Sequence, residues 1–276
     1  MTHMIYVVPS LKAKEKLQCE GKAWAESQGF AYVPRGKRTI QDLMDEYGED
    51  FLVYSSRGPQ IDRPEGSHFF SLNMAELRIQ NLRKGQRDHL LEALMGVKEY
   101  DLRPAAAQPP ISVLDCTCGF GADAAVASFG LPAGSCVDAL EVSPLLEAVT
   151  AWGFSHFVHK KDDVTAALRR ISLRCGDYRD YLLSDDGPVY DVLYFDPMFQ
   201  RPVEASCQFQ PVRAIMEHGG LTRDLIERAL QKARRRVVIK ERDFRQLCRD
   251  FPDVALYGGK YSRIGYAVLE CDSWKK

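Results

Sequence analysis

The sequence lacks a long hydrophobic run and a strong charge of either sign. The longest stretch without a charged side chain, residues 124–137, is 14 residues long and contains Gly and Pro, whereas a membrane-spanning helix needs about 20 apolar residues. The 37 Lys and Arg against 38 Asp and Glu give a net charge of −1, which argues against a uniformly basic nucleic-acid-binding protein. The N-terminal residues lack the basic and apolar segments of a secretory signal. We therefore expect a cytoplasmic protein without a membrane span.

The cysteines form no pattern that predicts disulfide bonds or a metal site. The 8 cysteines are spread irregularly over 276 residues. Only Cys116 and Cys118 are close together, and neither a second pair nor histidines stand at the spacing that zinc needs. We expect reduced, buried thiols and no metal ion.

The near-neutral total hides an uneven distribution of charge along the chain. Residues 104–200 contain 6 basic and 13 acidic side chains, a net charge of −7. Residues 201–276 contain 16 basic and 10 acidic side chains, a net charge of +6. An acidic region beside a basic one can orient an anionic partner.

Residues 1–66 predict a small N-terminal α/β domain. β-Branched and aromatic runs predict strands at 5–8, 30–33 and 51–54. Helical spacing of apolar residues predicts a helix between each pair of strands, and Thr39 is the expected N-cap of the second. The Gly- and Pro-containing segment 57–67 predicts a connection to the next domain.

Residues 67–276 predict a larger domain. A helix is expected over residues 73–94, and from residue 111 onward strand patterns alternate with helix patterns. The predicted strands are at 111–114, 136–140, 171–174, 189–195, 237–240, 254–256 and 265–269. This alternation predicts an α/β fold with a parallel, doubly wound sheet, whose ligand site lies at the carboxyl ends of the strands.

A glycine-containing turn follows the strand that ends at Asp115. Gly119 and Gly121 allow the backbone to approach a ligand closely just before a helix begins. With Ala124 they also fit a dinucleotide fingerprint, and Glu141 stands where a ribose-binding acid belongs. Asp115 and the acidic surroundings favour S-adenosylmethionine (SAM), which carries a sulfonium and an ammonium group but no phosphate. The turn by itself leaves NAD and SAM both open.

Two further acids follow predicted strands. Glu141 has two carboxylate oxygens that can accept hydrogen bonds from both ribose hydroxyls. Asp177 can accept a hydrogen bond from an adenine amino group while Tyr178 covers the ring. A Gly-Asp turn without a ligand explains the sequence at Asp177 and Tyr178 equally well.

The sequence Tyr-Phe-Asp-Pro-Met-Phe at 194–199 predicts the reaction. An exocyclic nucleobase amine is a poor nucleophile, because its lone pair is delocalised into the ring. Asp196 and the Pro197 carbonyl can accept its N–H groups and turn the lone pair toward a methyl donor, while Phe199 stacks on the base. These three residues are the predicted catalytic residues.

Four blocks of sequence, at 114–123, 140–144, 194–199 and 236–240, resemble those of class I SAM-dependent methyltransferases. Within that class the chain is most similar to the bacterial small-subunit rRNA guanine-N2 methyltransferases of the J type and their Gram-positive relatives. The resemblance covers about residues 67–270. It implies a Rossmann-like fold, SAM as cofactor, and small-subunit rRNA or the 30S particle as partner.

The resemblance also implies which residues bind the cofactor. Beside Asp115, Gly119 and Gly121 of the turn, these are Ala122, Asp123, Glu141, Val142, Asp177, Tyr178 and Asp196. The rRNA enzymes have an arginine in place of Ala122 and two small hydroxyl residues in place of Asp177 and Tyr178. Adenosine recognition is therefore expected to differ in detail.

Basic residues follow the predicted strands of the C-terminal part. Arg228, Lys232 and Arg235 share one side of a predicted helix, where a solvated face is favoured over contact with phosphate. Lys240, Arg242 and Arg245 extend the same charge toward the strand ends.

These observations predict a SAM-dependent methyltransferase that acts on an exocyclic base amine in RNA, with guanine N2 of small-subunit rRNA as the first expectation. The alternatives are an adenine-N6 or small-molecule amine methyltransferase, an NAD-dependent oxidoreductase, and a non-catalytic RNA-binding assembly factor.

Overall fold

The computed structural model describes residues 4–98, 100, 108–197, 220–258 and 264–273. These residues form two compact units, each with its own β-sheet. Unit 1 contains the described residues up to 71 together with 143–157, and unit 2 contains the others. Segment 143–157 thus belongs with the N-terminal residues, and the division into domains 1–66 and 67–276 stays a prediction.

The helices and strands alternate along most of the chain. The first part contains β1 (Tyr6–Pro9), α1 (Glu15–Ser27), β2 (Ala31–Tyr32), α2 (Ile40–Tyr47), β3 (Phe51–Ser55), β4 (Gly58–Arg63), β5 (Gly66–Phe69), α3 (Asn73–Arg83) and α4 (His89–Met95). The second part contains β6 (Ser112–Asp115), α5 (Ala122–Gly130), β7 (Cys136–Glu141), α6 (Pro144–His156), α7 (Asp162–Leu168), β8 (Ile171–Cys175), α8 (Tyr178–Leu183), β9 (Val192–Phe195), α9 (Arg223–Lys232), β10 (Arg236–Glu241), α10 (Arg245–Asp250), β11 (Ala255–Tyr257) and β12 (Gly265–Glu270). None of the helices in the described ranges is long and apolar enough to cross a membrane.

Unit 1 is built on a five-stranded sheet in the order β2-β1-β3-β4-β5, in which the first three strands are parallel. Thr39 caps α2 as expected, since its side chain accepts a hydrogen bond from the Asp42 N–H (3.1 Å) and the Asp42 carboxylate accepts one from the Thr39 N–H (2.7 Å). The interpretation of 57–67 as a connection was wrong. Its turn signals are real, but the residues between the turns pair as the antiparallel strands β4 and β5.

Unit 2 is built on a seven-stranded sheet in the order β11-β12-β10-β9-β6-β7-β8. Strands β8, β7, β6, β9 and β10 are parallel, and β12 runs antiparallel between β10 and β11. Its core contains Leu114, Leu193, Phe195, Val237 and Leu269, all buried. Burying one such large apolar side chain contributes about 1.5–3 kcal/mol.

The order of the strands fixes where a ligand can bind. From β6 the chain proceeds outward through β7 to β8, and then returns to place β9 on the other side of β6. This reversal creates a crevice at the carboxyl ends of β6 and β9, which is the usual ligand position in open α/β sheets. Asp115 ends β6 and Asp196 follows β9. The expected doubly wound sheet is thus confirmed, except that β12 runs antiparallel to its neighbours where a parallel sheet was expected.

The single helix expected over 73–94 is two helices. Gly85 adopts a φ of 77°, a left-handed conformation that ends α3. Asp88 then caps α4, because its carboxylate accepts a hydrogen bond from the Leu90 N–H at 3.0 Å. The short helices α7, α8 and α10 were not among the expected elements, since six or seven residues give too few helical turns to show a clear period.

Candidate active site

The turn after β6 holds its shape through glycine and one buried acid. Gly119 and Gly121 have φ angles of 54° and 75°, which favour glycine, and Gly121 is the N-cap of α5. The Asp115 side chain is 2% exposed, and its carboxylate accepts a hydrogen bond from the Thr117 N–H at 3.1 Å. Burial raises the pKa of Asp115 well above its usual range, and the neighbouring acids Asp123 and Asp196 raise it further.

Glu141 joins the end of β7 to this turn. Its Oε2 atom accepts a hydrogen bond from the Gly119 N–H at 2.8 Å. The Cys118 N–H also donates to the Leu140 carbonyl, at 2.9 Å. Ala122 and Val142, the other two residues expected here, are half-buried beside the turn and directly after β7. The structure therefore brings the predicted ribose acid and the glycine turn into contact.

Asp177 and Tyr178 begin α8. The Asp177 carboxylate caps this helix by accepting a hydrogen bond from the Arg179 N–H at 2.8 Å, and it also pairs with the Arg179 guanidinium. The Tyr178 ring is buried and meets the Phe195 ring edge-on, with centroids 5.4 Å apart. A helix cap and an ion pair thus account for the contacts of Asp177, in place of the Gly-Asp turn that was the alternative, and a role of Asp177 and Tyr178 in binding adenine stays a prediction.

Asp196 stands at the switch point, directly after β9. Its N–H donates to the Thr117 hydroxyl at 2.6 Å, which ties the end of β9 to the turn after β6. Its Oδ2 atom accepts a hydrogen bond from the Lys240 ammonium at 2.7 Å. Pro197 is half-buried beside it. Phe199, the third predicted catalytic residue, lies outside the described residues.

Asp123 is buried among three donors. Its carboxylate pairs with Arg78, accepts a hydrogen bond from the Tyr194 hydroxyl at 2.7 Å, and accepts another from Lys240 at 2.8 Å. Burial alone would raise the pKa of Asp123, but the Lys240 and Arg78 charges hold it below its usual range. Both oxygens of this predicted cofactor ligand are therefore already engaged within the protein.

Tyr194 was not among the predicted site residues, and Arg78 and Lys240 were predicted as basic residues that either contact phosphate or face solvent, not as partners of buried acids. Lys240 was expected on a basic surface facing the substrate, whereas its ammonium bridges two acids of the site. The strand order contained the missing signal. Phe195 of β9 pairs with Ile239 of β10. The residues that follow them, Asp196 and Lys240, therefore lie side by side.

Two of the basic residues predicted to share one side of a helix, Lys232 at the end of α9 and Arg235 just after it, are engaged locally. Lys232 donates to the carbonyl oxygens of Tyr181, at 2.5 Å, and Ser184. Arg235 pairs with Asp191 at 3.2 Å. Arg228 is exposed. Contacts within the unit thus explain two of these three positive charges without a phosphate.

The arrangement fits SAM. Asp115 and Glu141 are buried acids on neighbouring strand ends, beside a turn whose backbone leaves room for a ligand. A cofactor with positive sulfonium and ammonium groups suits such acids, whereas a pyrophosphate would be repelled by them. When bound, SAM supplies a methyl group on a positively charged sulfur. Glu141 would hold its ribose and Asp115 would face its positive charge.

The fold is that of a class I SAM-dependent methyltransferase. A sequence model of the family described as "Putative SAM-dependent methyltransferase" matches residues 76–264, and the chain belongs to this family. The solved structure of a SAM-dependent methyltransferase from Neisseria gonorrhoeae has a TM-score of 0.62 to it, with 18% identity over 96% of this chain and 95% of that one. The predicted fold class and cofactor are thereby confirmed.

Two kinds of bacterial relative are similar in sequence. "Uncharacterized protein YpiP" of Bacillus subtilis is 28% identical over 85% of this chain and 88% of its own length. Ribosomal RNA small subunit methyltransferase J of Dechloromonas aromatica is 27% identical over 72% of this chain and 76% of its own length. Ribosomal RNA small subunit methyltransferase J of Rhodopseudomonas palustris is 32% identical over 58% of this chain and 68% of its own length. The chain is therefore related to the J-type enzymes and to YpiP.

Proposed function

We propose that this methyltransferase acts on an exocyclic amine of a nucleobase in RNA, with guanine N2 of small-subunit rRNA as its first candidate. The observation that carries the proposal is the position of Asp196 and Pro197 at the switch point of the sheet, next to the SAM-binding turn. The Asp196 side chain is 30% exposed there, so one face of its carboxylate is accessible to a substrate. The relatives named as ribosomal RNA small subunit methyltransferases support RNA as the substrate class.

In the proposed reaction the amine nitrogen forms a bond to the methyl carbon. The carbon–sulfur bond breaks, its electrons stay on sulfur, and the nitrogen loses one proton to solvent. The Asp196 carboxylate and the Pro197 carbonyl each accept an N–H of the amine, which withdraws the lone pair from the ring and directs it toward the methyl group. Phe199 is proposed to stack on the base.

The direct test measures transfer of a labelled methyl group from SAM to naked 16S rRNA and to 30S subunits from cells that lack the gene. Mass analysis of the digested nucleosides then identifies the product. N2-methylguanosine is the expected product. N6-methyladenosine would move the proposal to adenine, and binding of SAM and RNA without transfer would favour an assembly factor.

The role of Asp196 is tested with Asp196→Ala and the matched control Asp185→Ala, which removes an exposed aspartate from the loop before β9. We expect a loss of kcat of about 100-fold or more for Asp196→Ala, because one oriented acceptor is removed, and no change for the control. Full activity of Asp196→Ala would refute the assigned role.

A further inference from the structure

Lys240 lies between two carboxylates of the site. Its ammonium is 2.7 Å from Oδ2 of Asp196 and 2.8 Å from Oδ2 of Asp123. The lysine side chain is only 15% exposed, so this charge is largely removed from water. Burial alone would lower the pKa of Lys240, but the two carboxylates hold it above its ordinary value. Lys240 therefore carries its positive charge inside the site.

A series of alternating charges fixes the position of this ammonium. Arg78 forms two hydrogen bonds with Asp88, each of 2.8 Å, and pairs with Asp123 on its other side. Asp123 is held further by the Tyr194 hydroxyl. The anchored Asp123 in turn holds Lys240, which contacts Asp196. Among the carboxylates of this series, Asp196 has the most exposed side chain, at 30%.

We infer that Lys240 is a positioning residue for Asp196: its ammonium holds Oδ2 and leaves Oδ1 to accept the N–H of the substrate amine. This inference rests on the proposed function, since it assigns Asp196 to the amine. It gives the C-terminal part of the sheet a task in the reaction, in place of the contact with substrate that the sequence suggested for Lys240.

The geometry explains why an anchor is needed. The last torsion of an aspartate side chain has a broad energy minimum, so a carboxylate without a partner rotates readily. In Asp196 the backbone is fixed by the Thr117 hydroxyl, and one carboxylate oxygen is fixed by Lys240. Within the described part of the chain, no hydrogen bond to Oδ1 of Asp196 is present. The carboxylate is thus held at one oxygen and open at the other.

Charge leads to the same role. Burial raises the pKa of Asp196, Lys240 opposes this rise, and the acids Asp123 and Glu241 add to it. A protonated carboxyl group would have lost much of its power to accept a hydrogen bond from an amine. Asp115 and Tyr194 also interact electrostatically with Asp196. Tyr266 interacts with Lys240 and helps to raise the pKa of the lysine. Lys240 is in direct contact with Asp196, so its positive charge favours the carboxylate form.

The test compares Lys240→Met and Lys240→Arg with the matched control Lys16→Met, which removes a lysine that is 91% exposed on α1. The assay measures kcat for methyl transfer to RNA between pH 5 and pH 9, with the Kd for SAM measured in parallel. For Lys240→Met we expect about a 100-fold loss of kcat at neutral pH, a SAM Kd within a few fold of wild type, and an acid limb displaced upward by about 1–3 pH units. Lys240→Arg should keep the acid limb in place, and Lys16→Met should match wild type.

The outcomes separate this inference from the proposed function. If the wild-type protein transfers no methyl group to RNA, the proposed function itself fails. If Asp196→Ala retains full activity, the role assigned to Asp196 fails, and the positioning role of Lys240 fails with it. If Asp196→Ala is inactive while Lys240→Met keeps the wild-type kcat and pH profile, the positioning role alone is refuted. A lower kcat with an unmoved acid limb would also refute it, because a purely structural role predicts that pattern. If Lys240→Met does not fold, the neutral and more polar Lys240→Gln is assayed in the same way and decides.

Discussion

Because Arg78 pairs with two acids, we expect its replacement to lower the free energy of unfolding. The Arg78 side chain is 26% exposed, forms a bidentate pair with Asp88 and contacts Asp123. Arg78→Met keeps most of the aliphatic volume but leaves two largely buried carboxylates without this partner. Breaking a buried ion pair on one side typically destabilises a protein by about 3–5 kcal/mol. Lys240 still neutralises Asp123, so we expect the lower end, about 3 kcal/mol.

The measurement is urea unfolding followed by far-UV circular dichroism, together with the melting temperature. For a domain of this size, about 3 kcal/mol corresponds to a decrease in Tm of about 6–12 °C. The double variant Arg78→Met with Asp88→Asn provides the internal control. Asparagine still caps α4 but carries no charge, so the double variant should lose at least about 1 kcal/mol less than the sum of the single variants.

Two results would refute this reasoning. One is a loss of less than about 1 kcal/mol in Arg78→Met, the value typical of an exposed pair. The other is simple additivity of the two substitutions, which would show that Arg78 and Asp88 contribute independently.

The other charged residues of unit 2 give three further predictions. Asp115→Asn should raise the Tm, measured by thermal shift, because the raised pKa of Asp115 means that its ionised form disfavours folding near neutral pH. The same substitution should weaken SAM binding at least about tenfold, measured by calorimetry, because it removes the negative charge proposed to face the cofactor. The lowered pKa of Asp123 means that its stabilising effect is present above its unfolded pKa, about 3.9, and is lost as the pH falls below it. The urea midpoint should therefore decrease less between pH 6 and pH 3 in Asp123→Asn than in wild type. Lys232→Ala should leave the slope of log Kd for RNA against log salt unchanged, because the Lys232 ammonium is already bound to carbonyl oxygens.

Much of unit 2 was predictable because its signals are local. A buried apolar strand, a glycine turn and a helix start follow one another within residues 112–123, and each has its own residue preferences. The β4–β5 hairpin was not predictable in the same way. Gly58 and Pro59 signal a turn, but pairing of β4 with β3 on one side and β5 on the other depends on contacts that a local pattern does not contain.

The site divides along the same line. Asp115, Glu141 and Asp196 were found because each follows a strand, and the carboxyl ends of parallel strands gather at one edge of the sheet. The pairing of Arg78 with Asp123 was not predicted, because Arg78 reaches Asp123 from α3, 45 residues earlier in the chain, at no fixed spacing from any motif. Asp177 shows the opposite case: its local pattern fitted an adenine contact and a Gly-Asp turn equally well, and the structure shows it as the N-cap of α8.

The distribution of charge along the chain acquires a different meaning in three dimensions. The acidic segment 104–200, with a net charge of −7, suggested a site suited to a positively charged cofactor, and the basic segment after it, with +6, suggested a surface for RNA. In the folded unit the two segments meet at Lys240, whose ammonium comes from the basic segment and contacts Asp123 and Asp196 of the acidic one. Arg78 adds a second positive charge from outside both segments. Asp123 and Asp196 are therefore paired with cations, whereas Asp115 is 2% exposed and accepts a hydrogen bond from a backbone N–H. A positively charged cofactor beside Asp115 would offset the cost of ionising this buried acid, so we propose that the attraction for SAM comes chiefly from Asp115 and that the lysine-anchored Asp196 holds the substrate amine.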